Sequence, residues 1–381
     1  EPADGATLLT PGQRGLHTLY DLHAYPSLTS RRSRKASRLA GRYHRSVNDR
    51  GGTKPLRVIW RARETAAALD EIVAAGGVPS GIDVRLLTDL AAAELEKDWA
   101  DALVDPSGRE SLLDGANLRT VVVPYAGVPD RLRRAALERR HLTVRNSHYN
   151  GTMVAQHAAA LLLAVANRVV YADGLLREGN WGDKGEAHNL GVNLAGKRAL
   201  LLGYGTIGRA LGPILRSLGL DVTAFTRSGR APDGVTVVGP DGWRTALGTA
   251  DVVVSSLPAT PETIGLVGEA ELAAMPRGAI VVNVGRGPVI DEGALYRALR
   301  SGHLFGAGLD VWYRYPEDRA GRAATLPASE PFHRLDSVVM SPHRADEVSG
   351  WQRHAVADVL ETLQDVLRGG RRNVVDLVGG Y

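Results

Sequence analysis

Leu200-Leu201-Leu202-Gly203-Tyr204-Gly205-Thr206-Ile207-Gly208 runs an apolar strand straight into a G-x-G-x-x-G turn that opens a helix. Lys197-Arg198-Ala199 leads into the leucines, a continuous apolar run of the kind buried on both faces of a parallel sheet. Beyond the turn, Ile207, Ala210, Leu211, Ile214, Leu215 and Leu218 recur at helical spacing, enough to press one helix face onto that sheet. Gly203 permits the tight turn, Gly205 lets backbone approach a pyrophosphate, and Gly208 lets helix and strand pack closely. Thr206 and Ile207 begin the helix, whose free N–H groups and positive dipole end favour phosphate. Three glycines alone are a weak signal. The strand before them and the helix after them make this a dinucleotide site.

The next strand, Asp221-Val222-Thr223-Ala224-Phe225, ends in Thr226-Arg227-Ser228-Gly229-Arg230. In an NAD-selective site an acid about 20 residues beyond the glycines grips the ribose 2′-hydroxyl. Thr226 stands there instead. Arg227 and Ser228, with Arg230 nearby, suit a 2′-phosphate through charge-assisted hydrogen bonds. The reading is NADP(H) preferred, with NAD(H) the second choice.

The chain has 381 residues, 44% hydrophobic and 23% charged, with 44 glycines, the profile of an α/β enzyme of two or three domains. It has no cysteine, which excludes disulfides, thiol catalysis and metal-thiolate sites and fits a reducing, cytoplasmic setting. No apolar run reaches the roughly 18 residues of a membrane-spanning helix. The start shows neither an initiator Met nor the apolar core of a signal peptide. The net charge of +4 is unevenly spread. Residues 1–55 hold ten Lys/Arg and four Asp/Glu, so this extension carries +6 and the rest −2. Its run Arg31-Arg32-Ser33-Arg34-Lys35 lacks the aromatic ladder that stacks bases, and reads as a solvated tail rather than a nucleic-acid site.

Regular structure is expected from Leu56-Arg57-Val58-Ile59-Trp60, with helices around 64–75 and 88–98 and strands at 119–123 and 142–145. A long apolar helix is expected over 152–176, then buried strands at 251–255, 279–284, 306–311 and 337–340, and a last helix over 346–368. This alternation predicts an α/β protein with doubly wound parallel sheets, whose ligands bind beyond the carboxyl ends of the strands.

Two strand ends carry chemistry. Asn283-Val284-Gly285-Arg286-Gly287 sets an arginine between glycines, suited to gripping a carboxylate bidentately and polarising a neighbouring carbonyl. The other reading pairs Arg286 with an acid such as Asp291. His343, after Pro342, offers the proton exchange near neutral pH that ketone reduction by hydride requires, or is a structural histidine. The remaining histidines show no metal-ligand spacing, so no metal is expected.

Gly203–Gly208, Leu257-Pro258-Ala259-Thr260-Pro261-Glu262-Thr263, Asn283–Glu292, Gly306-Ala307-Gly308-Leu309-Asp310-Val311 and Ser341-Pro342-His343 occur in that order. Together they resemble the D-isomer-specific 2-hydroxyacid dehydrogenases, over about 56–370. The resemblance implies two lobes, a substrate domain from 56–150 and 343–381 with the cofactor domain, 151–342, inserted in it. It implies a substrate-orienting Arg286, an acid/base His343, and Asp310 near the nicotinamide. Leu257, Pro258, Val284 and Gly285 fall beside the cofactor. Tyr125-Ala126-Gly127-Val128 falls where backbone N–H groups receive the substrate carboxylate, and a homodimer through the cofactor domain is expected. Gln156 stands where Glu is common in the interdomain helix.

One position departs from the family. A glutamate five residues after the aspartate normally binds the histidine; here Tyr315 occupies that place, and a phenol does not stabilise imidazolium as a carboxylate does. Glu317 or Glu347 is an alternative carboxylate. The formate dehydrogenase branch has glutamine there and an asparagine matching Asn150, which this chain shares. The expected function is NAD(P)H-dependent reduction of a 2-oxo acid to a D-2-hydroxy acid. The alternatives are oxidation of a formate-like small anion and a dinucleotide-sensing protein with little turnover.

Overall fold

The computed structural model describes residues 54–182, 184–231 and 234–379. The basic extension expected at 1–55 lies outside them but for its last two residues. Two all-parallel sheets organise the described chain. The first holds β1 (Leu56–Trp60), β2 (Ile82–Leu86), β3 (Ala102–Val104), β4 (Thr120–Val122) and β5 (Thr143–Arg145), in the order β2-β1-β3-β4-β5. The second holds β6 (Arg198–Leu202), β7 (Asp221–Phe225), β8 (Thr236–Val238), β9 (Val252–Ser255), β10 (Ile280–Asn283), β11 (Gly306–Leu309) and β12 (Val338–Met340), in the order β12-β11-β10-β9-β6-β7-β8. The fold class expected from the alternation is the one observed.

Each order reverses at one point, between β1 and β3 and between β6 and β9. There the flanking connections leave for opposite faces, opening a crevice at the carboxyl ends of the strands. The glycine turn follows β6 and Ser256-Leu257 follows β9, so both stand at the second switch point. There β9 is wholly buried and β6 is buried but for exposed Arg198 at its start, as helix-covered parallel strands are.

Helix Gly151–Ala166 leads from the first sheet to the second, where Val154, Ala158, Leu161, Leu162 and Val165 join the core beneath β6, β9 and β10. The C-terminal helix Trp351–Leu367 returns to the first sheet, where Val356, Val359, Leu360 and Leu363 pack with Val58, Trp60, Val104 and Val122. The first lobe is therefore built from both ends of the described chain.

Three expectations need correction. The helix expected over 152–176 is two, Gly151–Ala166 and Val169–Arg177, bent by 64°. The Ala166 carbonyl accepts the Val192 N–H at 2.7 Å and Arg168 takes a left-handed φ of 51°, which ends the first helix. The last helix starts at Trp351 rather than 346, behind Gly350 with φ 80°. Strands β2, β3 and β8 were not anticipated. Among the described residues no single helix is long and apolar enough to cross a membrane.

Candidate active site

A cavity of about 1800 Å³ opens at the carboxyl ends of the strands, lined from both sheets. Gly203 leaves β6 with φ 97°, a backbone that only glycine adopts without strain. A Cβ at Gly208 would stand 2.4 Å from the Gly203 carbonyl oxygen, so the helix Thr206–Ser217 sits this close to the strand only because position 208 is glycine. A Cβ at Gly205 would meet open space, and Gly205, Thr206 and Ile207 line the cavity where the helix begins. Ser256 Oγ donates to the Gly203 carbonyl at 3.3 Å and braces the turn. This cradle fits a pyrophosphate.

Beyond β7, Thr226, Arg227, Ser228 and Arg230 line the same cavity. Thr226 Oγ1 accepts the Arg230 N–H at 3.2 Å and closes the basic turn on itself. The first five residues past that strand are without a carboxylate.

At the reacting end, buried Asn283 shapes the turn after β10. Its Nδ2 donates to the Arg286 carbonyl at 3.0 Å and its Oδ1 accepts the Gly285 N–H at 3.2 Å. Arg286 Nη1 is tethered to the Gly285 carbonyl at 2.7 Å, while Nη2 reaches to within 2.9 Å of where Gly127 would carry a Cβ. The guanidinium thus faces the loop after β4. That loop is held by Asn146, whose Nδ2 donates to the Ala126 carbonyl at 2.7 Å, and by the Ser147 N–H on the Tyr125 carbonyl at 3.2 Å. Asp291 is not the partner of Arg286; its side chain caps the helix Glu292–Arg300 through the Ala294 N–H.

His343 sits on a turn with φ 53°, a rare conformation for a residue with a side chain. Asp310, almost fully buried at the end of β11, holds that turn. Its carboxylate accepts the Ser341 hydroxyl at 2.5 Å, the Arg344 N–H at 3.0 Å and the Ala345 N–H at 3.1 Å. His157, from the helix Gly151–Ala166, adds Nε2 at 2.9 Å from Ser341 Oγ, and Trp312 Nε1 donates to the Ser341 carbonyl at 2.7 Å. The imidazole opens onto the cavity. Its walls still take enough water from it to lower the pKa below the usual histidine value, and Arg286 lowers it further. Tyr315 lies with its ring 5.5 Å from the imidazole, but its hydroxyl accepts the Trp312 N–H at 3.0 Å.

Residues 159–345 match the family model described as D-isomer specific 2-hydroxyacid dehydrogenase, NAD binding domain. The chain is 34% identical over 256 residues to the glyoxylate reductase of Thermococcus litoralis, covering 65% of this chain and 74% of the relative. This chain belongs to the D-isomer specific 2-hydroxyacid dehydrogenase family. A second member, the D-3-phosphoglycerate dehydrogenase of Archaeoglobus fulgidus, is 31% identical over 309 residues, 78% of this chain; the chain spans 56% of that relative's length. Among solved structures, the family member from Xanthobacter autotrophicus Py2, in complex with NADPH and MES, superposes with a TM-score of 0.66 at 28% identity, covering 86% of this chain and all of that one.

Most expected site residues of this family member converge on the cavity. Gly203, Gly205, Thr206, Ile207, Thr226, Arg227, Ser228, Leu257, Pro258, Val284 and Gly285 line one part. Tyr125, Ala126, Gly127, Asn150, Arg286, Asp310 and His343 line the other. Gly208, Val128 and Tyr315 do not. Gly208 is buried under the turn, Val128 packs into the core of the first lobe, and Tyr315 stands behind the histidine. Gln156 is exposed outside the cavity. The supporting roles of Asn283, Asn146, Ser341 and His157 were missed, although Asn283 and Ser341 stand in the motifs that carry the resemblance; for Asn283 the signal was a polar side chain closing a run of buried β-branched ones.

Proposed function

We propose that this chain reduces a 2-oxo acid to a D-2-hydroxy acid with NADPH, and reversibly oxidises the product. The observation that carries this reading is the meeting of Arg286 with the Gly127 loop beside His343, in one cavity with the glycine cradle. The nicotinamide, when bound, supplies hydride from its C4 to carbon 2 of the substrate. The 125–127 loop offers backbone N–H groups to the carboxylate, and Arg286 binds the same group while polarising the carbonyl. His343 delivers the proton to the oxygen. The basic turn Thr226–Arg230 supports NADPH over NADH. The lobes 56–150 with 343–379, and 151–342, would serve as substrate and cofactor domains. Initial rates of NADPH and NADH oxidation with glyoxylate, hydroxypyruvate, pyruvate and phenylpyruvate test this; turnover of at least one, faster with NADPH, is expected. Cofactor binding without oxidation would leave a dinucleotide-sensing protein instead.

A homodimer through the cofactor domain belongs to the same proposal. Helix Val169–Arg177 buries none of its residues, and Val170 and Leu176 are 54% and 49% exposed. Such apolar exposure suits an interface. The double variant Val170→Asp, Leu176→Asp is expected to sediment as a monomer where the parent sediments as a dimer; an unchanged sedimentation coefficient would move the interface elsewhere.

A further inference from the structure

Among the described residues no carboxylate is hydrogen-bonded to the proton-donating imidazole, and the tyrosine at 315 accepts the Trp312 N–H through its hydroxyl oxygen. The charged groups acting on His343 come from three elements. Arg286, after β10, drives the proton off; Asp310, after β11, and Asp346 and Glu347, on the histidine's own segment, draw it on. These acids are placed very differently. Asp310 is committed to the turn beneath the histidine. Glu347 is 67% exposed and its Oε2 lies 3.9 Å from Arg344 Nε, where solvent and that cation weaken its field.

Asp346 lines the cavity and is gripped from another part of the chain. Asn150 Nδ2 donates to its Oδ2 at 2.9 Å, and the Tyr149 hydroxyl approaches the same oxygen at 3.5 Å. The Tyr149 ring is stacked on Trp351, centroids 6.0 Å apart and planes 19° from parallel. Tyr149 and Asn150 lie where the chain leaves the first lobe, and Asp346 and Trp351 where it returns. The carboxylate is therefore fixed on both sides, three residues from His343.

We propose that Asp346 is the carboxylate that supports the catalytic histidine in this chain, held in the cavity wall by Asn150 and Tyr149 and acting through space where a glutamate at 315 would act by contact. The proposal rests on the reading of His343 as the proton donor. The Asp346 charge stabilises imidazolium through space, partly offsetting the burial and the Arg286 charge that lower the His343 pKa. Asn150 then serves to hold Asp346, rather than to bind a formate-like anion directly.

The full-length protein tests this without turnover. The His343 ring resonance, assigned by its loss in His343→Gln, is titrated by NMR in the parent and in Asp346→Asn. Removing the charge is expected to lower the His343 pKa further, leaving less imidazolium at any pH above it. Asp346→Glu, which keeps the charge, should titrate near the parent. Asn150→Ala, which frees the carboxylate, should move part of the way, and Glu317→Gln should not move. In kinetics, the alkaline limb of kcat/KM for reduction should shift to lower pH in Asp346→Asn, with KM for the 2-oxo acid nearly unchanged. A His343 pKa equal in parent, Asp346→Asn and Asn150→Ala overturns the inference. A shifted pKa in a protein that turns over no 2-oxo acid upholds Asp346 as the partner and overturns the proposed reaction.

Discussion

Replacing Arg286 with alanine is expected to lower kcat/KM for 2-oxo acid reduction by about a hundred- to a thousandfold, the size of losing one oxyanion-type donor. Two of its functions go together. The guanidinium faces the Gly127 loop, where the substrate carboxylate is proposed to sit, and it is proposed to polarise the carbonyl that takes the hydride. The loss should appear in both kcat and KM, because one interaction is made in the ground state and the other grows in the transition state. Lysine should restore little, since an ammonium lacks the planar fork that grips a carboxylate with two parallel bonds. The fold should survive. Arg286 is half-buried at the cavity wall, and the turn it stands on is held by Asn283. A near-normal kcat/KM in Arg286→Ala would remove this residue from the mechanism.

Replacing Asp310 with alanine is expected to cost stability as well as activity. The carboxylate is 1% exposed and accepts the Ser341 hydroxyl and the Arg344 and Ala345 N–H groups. Each donor left unpaired and shielded from water costs about 1–3 kcal/mol, and losing a buried charged acceptor about 3–5 kcal/mol in all. Urea unfolding should show that loss, and reduction should fall with it because the turn carrying His343 at φ 53° loses its anchor. Asn at 310 keeps one acceptor but turns an NH2 toward a donor, so it should be only slightly less damaging. A change within about 1 kcal/mol in Asp310→Ala would show that the turn is held by other contacts. The resemblance implies a place near the nicotinamide for this residue; the structure shows it holding the turn beneath the histidine.

The parts of this architecture legible in sequence are those with a strong local signal. β6 and its glycine turn combine a continuous apolar run with residues that alone fit the turn's geometry, so both fold and cofactor class could be read there. β9, β10 and β11 were legible for the same reason. β3 is wholly buried but three residues long, too short to leave a pattern, and β8 sits at a sheet edge with partly exposed side chains. β2 is an edge strand too, and its Asp83 and Arg85 interrupt the apolar run. The break between Ala166 and Val169 was illegible because its cause is distant: a hydrogen bond from Val192 occupies the carbonyl that the helix would have used. The site divides the same way. Arg286 and His343 stand in strand-end motifs, whereas Asn146 and Asp346 have partners that sequence order does not bring together.

The most direct measurement follows the hydride itself. The protein is incubated with NADPH dideuterated at C4 and the 2-oxo acid it turns over fastest, and the product is analysed for label and configuration. The account predicts one deuterium at carbon 2 of a D-2-hydroxy acid. An unlabelled product, an L-configured one, or no product from any 2-oxo acid would contradict it.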